Sequence, residues 1–169
     1  MIYKDKRIPV RLAKIVISIF INFFIISPKV FLTNLCYNMH GDIMKKLIKI
    51  KYRNIFKYED HQEVIKFDEN GYLEEFNGYK AISFVKDRQI KVEIKTNEIV
   101  LHNGKGILHL VLNEDVLNDY QTDYGVISLK TRLIHYETGN TIKIKYELYE
   151  GLNLVSQVYM MISYSVLEN

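Results

Sequence analysis

The sequence predicts an all-β protein, an antiparallel up-and-down barrel of about 8–10 strands that spans residues 44–169. Three observations predict it: apolar and polar residues alternate in many short runs, turn residues separate the runs, and no proline follows Pro28. Because successive side chains of a strand point to opposite faces, each run makes a strand with one buried face. Sequential hairpins form a meander, and a meander with one apolar face tends to close.

The alternating runs follow one another through this region, at residues 48–52, 65–67, 82–84, 90–96, 99–101, 108–112, 127–133, 142–148 and 158–166. Turn residues separate them at Asn77-Gly78, Asn103-Gly104, Gly139-Asn140 and Glu150-Gly151, and residues 69–71 predict a further turn. Asn-Gly favours tight hairpins, because both residues tolerate a positive φ. The acidic stretch 113–121 interrupts the pattern and is predicted to be a loop or a single helical turn.

Charge is distributed unevenly along the chain. Residues 1–43 carry six of the 23 basic and two of the 20 acidic residues, which leaves 17 basic and 18 acidic residues after residue 43. This balance argues against nucleic-acid binding by the barrel, since binding phosphate needs a surplus of cations. The lone Cys36 excludes an internal disulfide, so nothing requires an oxidising compartment and we expect a cytoplasmic protein.

Four interpretations compete for the N-terminal extension 1–43, in which a basic stretch precedes the apolar run 15–26. The run is short for a membrane-spanning helix, which needs about 20 apolar residues. A secretory signal would need small residues at its cleavage site, and a lipoprotein signal conflicts with Leu35 before Cys36. In the fourth, translation starts at Met44, because the codons of residues 40–43 can contain a ribosome-binding sequence. A membrane-targeting leader would instead make the protein membrane-anchored or secreted.

Four features of the region 44–169 together resemble one bacterial family. They are the opening run 45–50, Gly71-Tyr72-Leu73 ahead of Asn77-Gly78-Tyr79, Thr122-Asp123-Tyr124-Gly125 ahead of Leu129-Lys130-Thr131, and the run 144–148. With these residues the region resembles the YwiB-like proteins, a family of unknown function placed among the calycin, or lipocalin-like, β-barrels. The resemblance implies a barrel of that class and no established activity.

Candidate ligand-binding residues are polar side chains near or in the inward phase of the predicted strands. Thr131 and His135 follow the phase of Leu129, Tyr146 lies in the apolar row of the run 142–148, and Tyr124 precedes Gly125. A hydroxyl in a barrel wall can orient a ligand, or it can satisfy a buried backbone group or water. The candidate site is therefore Tyr124, Thr131, His135 and Tyr146.

The sequence predicts no catalytic motif, no metal site and no cofactor. No histidines of the barrel region have the spacing of metal ligands, although a lumenal His135 could ligate haem iron as a weak alternative. The adjacent carboxylates Glu74 and Glu75 would point to opposite faces of a strand, which makes them poor acid–base partners.

The sequence therefore favours a non-enzymatic barrel that holds a small, largely apolar ligand. The alternative is a solid-core structural or protein-interaction domain without a ligand. A weaker alternative is an enzyme that uses Tyr124, Thr131 and His135 in one pocket. No membrane contact is expected for residues 44–169, and the oligomeric state stays open.

Overall fold

A computed structural model describes residues 44–122 and 125–167 of the chain. This part consists of ten β-strands: β1 (Met44–Lys57), β2 (Gln62–Phe76), β3 (Tyr79–Val85), β4 (Gln89–Lys95), β5 (Glu98–Asn103), β6 (Gly106–Val111), β7 (Asp115–Thr122), β8 (Gly125–Glu137), β9 (Thr141–Glu150) and β10 (Asn153–Val166). Within it no helix has the length and hydropathy that a membrane span needs. The predicted all-β class is confirmed, and the interpretations of the N-terminal extension fall outside the described residues.

The strands form one antiparallel sheet in the order β6-β5-β4-β3-β2-β1-β10-β9-β8-β7. Each strand pairs with its neighbours in sequence except β6 with β7, and the first and last strands pair with each other over residues 48–57 and 157–166. The predicted up-and-down order is therefore confirmed. The sheet curls into a nearly closed barrel whose one incomplete junction, among the described strands, lies between β6 and β7.

The inward faces of the strands fill the barrel. Along β1, the buried Ile48, Ile50 and Tyr52 alternate with the exposed Lys49 and Lys51, as the sequence pattern predicts. Buried side chains from all ten strands pack together in one continuous hydrophobic core. Since a fully buried Ile, Leu or Phe side chain contributes about 1.5–3 kcal/mol, this core is the main source of stability.

The turn predicted at residues 69–71 is wrong, because these residues lie inside β2. The strand pairs with β1 along its length and with β3 from Gly71 onward. A Cβ atom at Gly71 would collide with the Ser83 carbonyl oxygen and with the Ile50 side chain. The glycine therefore allows the β3 backbone and the Ile50 side chain to approach β2 closely. From sequence alone, a glycine with this role inside a strand looks the same as a glycine in a hairpin turn.

The stretch 113–121 is neither the loop nor the helical turn that its acidic residues predict, because most of it belongs to β7. The buried side chains of this strand are Asn118, Tyr120 and Thr122. Because these residues are polar or aromatic, the sequence of the strand does not show the alternation of apolar and polar residues that predicts the other strands. Asn113 adopts a φ of 62° in the turn before it, and its backbone N–H donates to the Leu133 carbonyl oxygen at 2.8 Å.

Side chains bridge the junction between β6 and β7. The Asn118 Oδ1 accepts a hydrogen bond from the His109 backbone N–H at 2.7 Å, and the Asn118 Nδ2 donates to the His109 carbonyl oxygen at 3.2 Å. The Thr131 hydroxyl donates to the same carbonyl oxygen at 2.7 Å and accepts from Asn118 Nδ2 at 2.9 Å. These bonds replace the missing ladder, so the backbone edge of β6 at His109 has its partners.

Candidate functional site

A cavity of about 40 Å³ lies inside the barrel. Its walls come from the second half of β1, the first half of β4, the end of β5, the start of β6, and β7, β9 and β10. The cavity therefore lies toward one end of the barrel. At this end lie the connections β1–β2, β3–β4, β5–β6, β7–β8 and β9–β10. Half of the twelve lining side chains are apolar, and the buried polar ones are Tyr52, Asn54, Tyr120 and Tyr146.

Asn54 is the polar centre of this cavity. Only 3% of the residue is exposed, and its Nδ2 donates to the Tyr52 hydroxyl at 3.3 Å. It is also a hydrogen-bond partner of Tyr146. Its Oδ1 is buried and has no hydrogen-bond donor among the described residues. An unsatisfied buried acceptor costs about 1–3 kcal/mol, so Asn54 Oδ1 marks a position where a ligand or water donor would be stabilised.

The three tyrosines around the cavity are held in their neutral form. Burial raises the pKa of Tyr52 above its usual value, and the hydrogen bond from Asn54 offsets part of this effect. Burial also raises the pKa of Tyr146 well above its usual value. Burial raises the pKa of Tyr120 to about 12, although a hydrogen bond with Asn103 offsets part of this increase. The hydroxyls can therefore donate and accept hydrogen bonds at neutral pH but do not supply a phenolate.

Tyr120 closes the cavity on the side of the β5–β6 hairpin. Its ring lies so close to Gly106 that a Cβ atom there would collide with the ring and the hydroxyl. The absence of a side chain at Gly106 therefore lets the aromatic ring of β7 pack against the start of β6.

The structure places the four sequence-predicted site residues in different positions. Tyr146 lines the cavity. Thr131 is fully buried but belongs to the hydrogen bonds at the β6–β7 junction. Tyr124 lies outside the described residues, and His135 is on the outer surface, with 61% of its side chain exposed. The ligand-binding role of these residues stays a prediction.

The inward orientation predicted for His135 is wrong. The pairing of β8 with β9 shifts register between Leu133 and His135, so the alternation of inward and outward side chains changes phase at this bulge. Tyr136 packs against the core instead, while His135 Nε2 lies 3.3 Å from Glu137 Oε1. Because Thr131 and His135 lie on different faces of the barrel wall, they do not share the pocket that an enzyme using both would need.

Sequence interpretation missed Tyr52, Asn54 and Tyr120 as residues of a site. Asn54 could have been found, because it is a polar residue in the inward row 48–56 of β1, whose other members are Ile48, Ile50, Tyr52 and Phe56. Tyr120 could not, since the strand that contains it was not predicted.

Titratable residues of β4, β5 and β6 form a network on the outer face, in which Lys95 Nζ lies 3.8 Å from Glu93 Oε2 and 3.3 Å from Glu98 Oε2. His109 Nδ1 lies 2.9 Å from Glu98 Oε1, and His102 Nε2 lies 3.4 Å from Glu93 Oε1. Nowhere in residues 44–122 and 125–167 do three or more His, Cys, Asp or Glu side chains gather in a way that could hold a metal ion.

The strand order and pairing define the class of fold: an up-and-down antiparallel β-barrel of ten strands in the described residues. Among solved structures, the crystal structure of the ywiB protein from Bacillus subtilis is similar, with a TM-score of 0.63 and 17% sequence identity over 75% of this chain and 96% of that chain. At this identity the similarity shows the fold alone, and it confirms the resemblance to YwiB at that level. Comparisons with family models and with curated proteins gave no match.

Proposed function

We propose that this protein is a non-enzymatic, calycin-like barrel that binds a small, largely apolar ligand in its lumen, in the cytoplasm. The observation that carries the proposal is the cavity of about 40 Å³ with mostly apolar walls. Ligand sites combine such walls with a few polar groups that fix the orientation of the ligand. Asn54 and the three tyrosines are the polar groups that would serve this purpose.

The volume of the cavity limits how much of a ligand it can enclose. Pockets that bury a drug-sized ligand measure about 300–1,000 Å³, whereas this cavity of about 40 Å³ has room for about three water molecules. The proposal therefore places one end of the ligand in the cavity and the remainder toward the nearby end of the barrel.

Filling the cavity tests the proposal. Val92 lines it, and Val92→Leu adds apolar volume there without changing charge. Ten-carbon alcohols, ethers and acids are titrated into the full chain and followed by NMR chemical shifts. We expect shifts at the cavity residues, and binding at least about ten-fold weaker for Val92→Leu, a difference of about 1.4 kcal/mol.

The matched control is Val166→Leu, the same change at a half-exposed position near the other end of the barrel, and it should bind as the wild type does. The proposal is contradicted if no ligand shifts the cavity residues, or if Val92→Leu binds as tightly as the control.

The small volume of the cavity favours one alternative, a solid-core structural or protein-interaction domain. In that case ordered water would satisfy Asn54 Oδ1, as buried waters do at polar sites in many proteins. A high-resolution crystal structure grown with saturating ligand distinguishes the two functions. Water alone around Asn54 supports the solid domain, and ligand density there excludes it.

A further inference from the structure

We infer that the cavity receives the neutral, hydrogen-bond-donating head of an amphiphile, whose apolar chain extends to the exposed leucines of the β9–β10 hairpin at the nearby end of the barrel. This inference rests on the proposed function and names the chemical class of the ligand. Three features carry it: an acceptor without a donor, a lining without formal charge, and exposed apolar residues at the same end of the barrel.

The acceptor is Asn54 Oδ1. The amide is 3% exposed and lines the cavity, and its Nδ2 is already used by the Tyr52 hydroxyl at 3.3 Å. The amide atom that has no partner among the described residues is therefore the acceptor Oδ1. A ligand O–H or N–H can donate to this oxygen, whereas an ether oxygen or a methyl group cannot.

The lining requires a neutral head. No Asp, Glu, Lys or Arg side chain is among the residues that line the cavity. His102 also lines the cavity, and its Nε2 is buried without a hydrogen-bond partner among the described residues, 3.4 Å from Glu93 Oε1. An ammonium head would be buried here without a counter-charge, and a carboxylate would have only the Arg88 guanidinium, which acts on Tyr120 from outside the lining residues. Both charged heads are therefore more costly to bury than an alcohol or amide.

The head alone cannot supply useful affinity. A group of about three non-hydrogen atoms binds no more tightly than roughly millimolar even at the highest known affinity per atom. Additional apolar surface is available at the same end of the barrel, where Leu152 and Leu154 of the β9–β10 hairpin are 93% and 50% exposed. Because β9 and β10 also line the cavity, an apolar chain that leaves the cavity can cover these two leucines.

Two isomeric probes isolate the donor. 1-Decanol and 1-methoxynonane have the same atoms and similar length, but only the alcohol donates a hydrogen bond, and decanoate adds the charged head. We expect calorimetric titration of the full chain to show 1-decanol binding about ten-fold more tightly than 1-methoxynonane, with decanoate weakest. Asn54→Leu should bind the two isomers equally, because it removes the acceptor and keeps a similar volume.

A substitution at Leu152 tests where the apolar chain of the ligand binds. Leu152 is 93% exposed in a turn, so Leu152→Ser leaves the core intact. We expect it to weaken both isomers by the same factor, because the change affects the chain and not the head. Unequal weakening would contradict the assignment of the chain to this end of the barrel.

The outcomes separate the inference from the proposed function. If none of the three probes binds, the proposed function fails. If the isomers bind equally to the wild type, or decanoate binds most tightly, the head chemistry is wrong while ligand binding stands. If Asn54→Leu folds and still prefers the alcohol, Asn54 is not the acceptor. The isomer comparison on the wild type decides the head chemistry even if that variant does not fold.

Discussion

Two buried asparagines occupy inward positions of the barrel and differ in how their amides are satisfied. Asn118 is 5% exposed, and its oxygen and nitrogen both bond to the backbone of His109. Asn54 is 3% exposed and keeps an oxygen without a donor among the described residues. The first amide is therefore explained by closure of the barrel, while the oxygen of the second is the acceptor at which we propose that a ligand binds.

Asn118→Ala is expected to lower the free energy of unfolding by about 2–3 kcal/mol, because it leaves the His109 N–H and carbonyl oxygen with fewer partners. Urea denaturation measures the change. The matched control is Asn153→Ala at an exposed strand end, which should change stability by less than about 0.5 kcal/mol. Equal effects of the two substitutions would show that Asn118 does not hold the β6–β7 junction.

At the scale of strands, sequence reasoning succeeded where inward residues are apolar and failed where they are not. The alternation along β4 and β9 predicts both strands well. The strand β7 was missed because its inward row is Asn118, Tyr120 and Thr122. The bulge after Leu133 could not be predicted either, since it depends on the register between β8 and β9. A strand pattern gives the side-chain phase only as long as the pairing is regular.

Gly71 tests the interpretation of β2 as one uninterrupted strand. Gly71→Ala is expected to destabilise the protein by about 1–3 kcal/mol, because its Cβ would collide with the Ser83 carbonyl oxygen and the Ile50 side chain. Thermal and urea unfolding measure the loss.

The matched control for this substitution is Gly139→Ala, in the exposed β8–β9 turn. A Cβ atom there would meet nothing closer than the Thr141 carbonyl oxygen at 4.0 Å, so we expect little change in stability. If Gly71→Ala is as stable as Gly139→Ala, the close approach within β2 is not a constraint on the fold.

At the scale of the whole molecule, the ladder between β1 and β10 joins the two ends of the meander, and side chains bridge the remaining junction. The strand order follows from sequential hairpins and could be predicted. The cavity could not, because its volume depends on how side chains from seven strands pack together. The position of the site that we propose, at Asn54, could therefore be found only from the packed structure, while the ligand-binding role predicted for Thr131 and His135 stays a prediction.

Native mass spectrometry of the protein isolated from its own cells tests the central claim most directly, since it detects a bound ligand and its mass together. We expect a complex of the protein with a neutral, releasable amphiphile, which is lost in Val92→Leu and retained in Val166→Leu. A protein that carries no ligand from its cells, and gains none when incubated with neutral amphiphiles, would contradict the account.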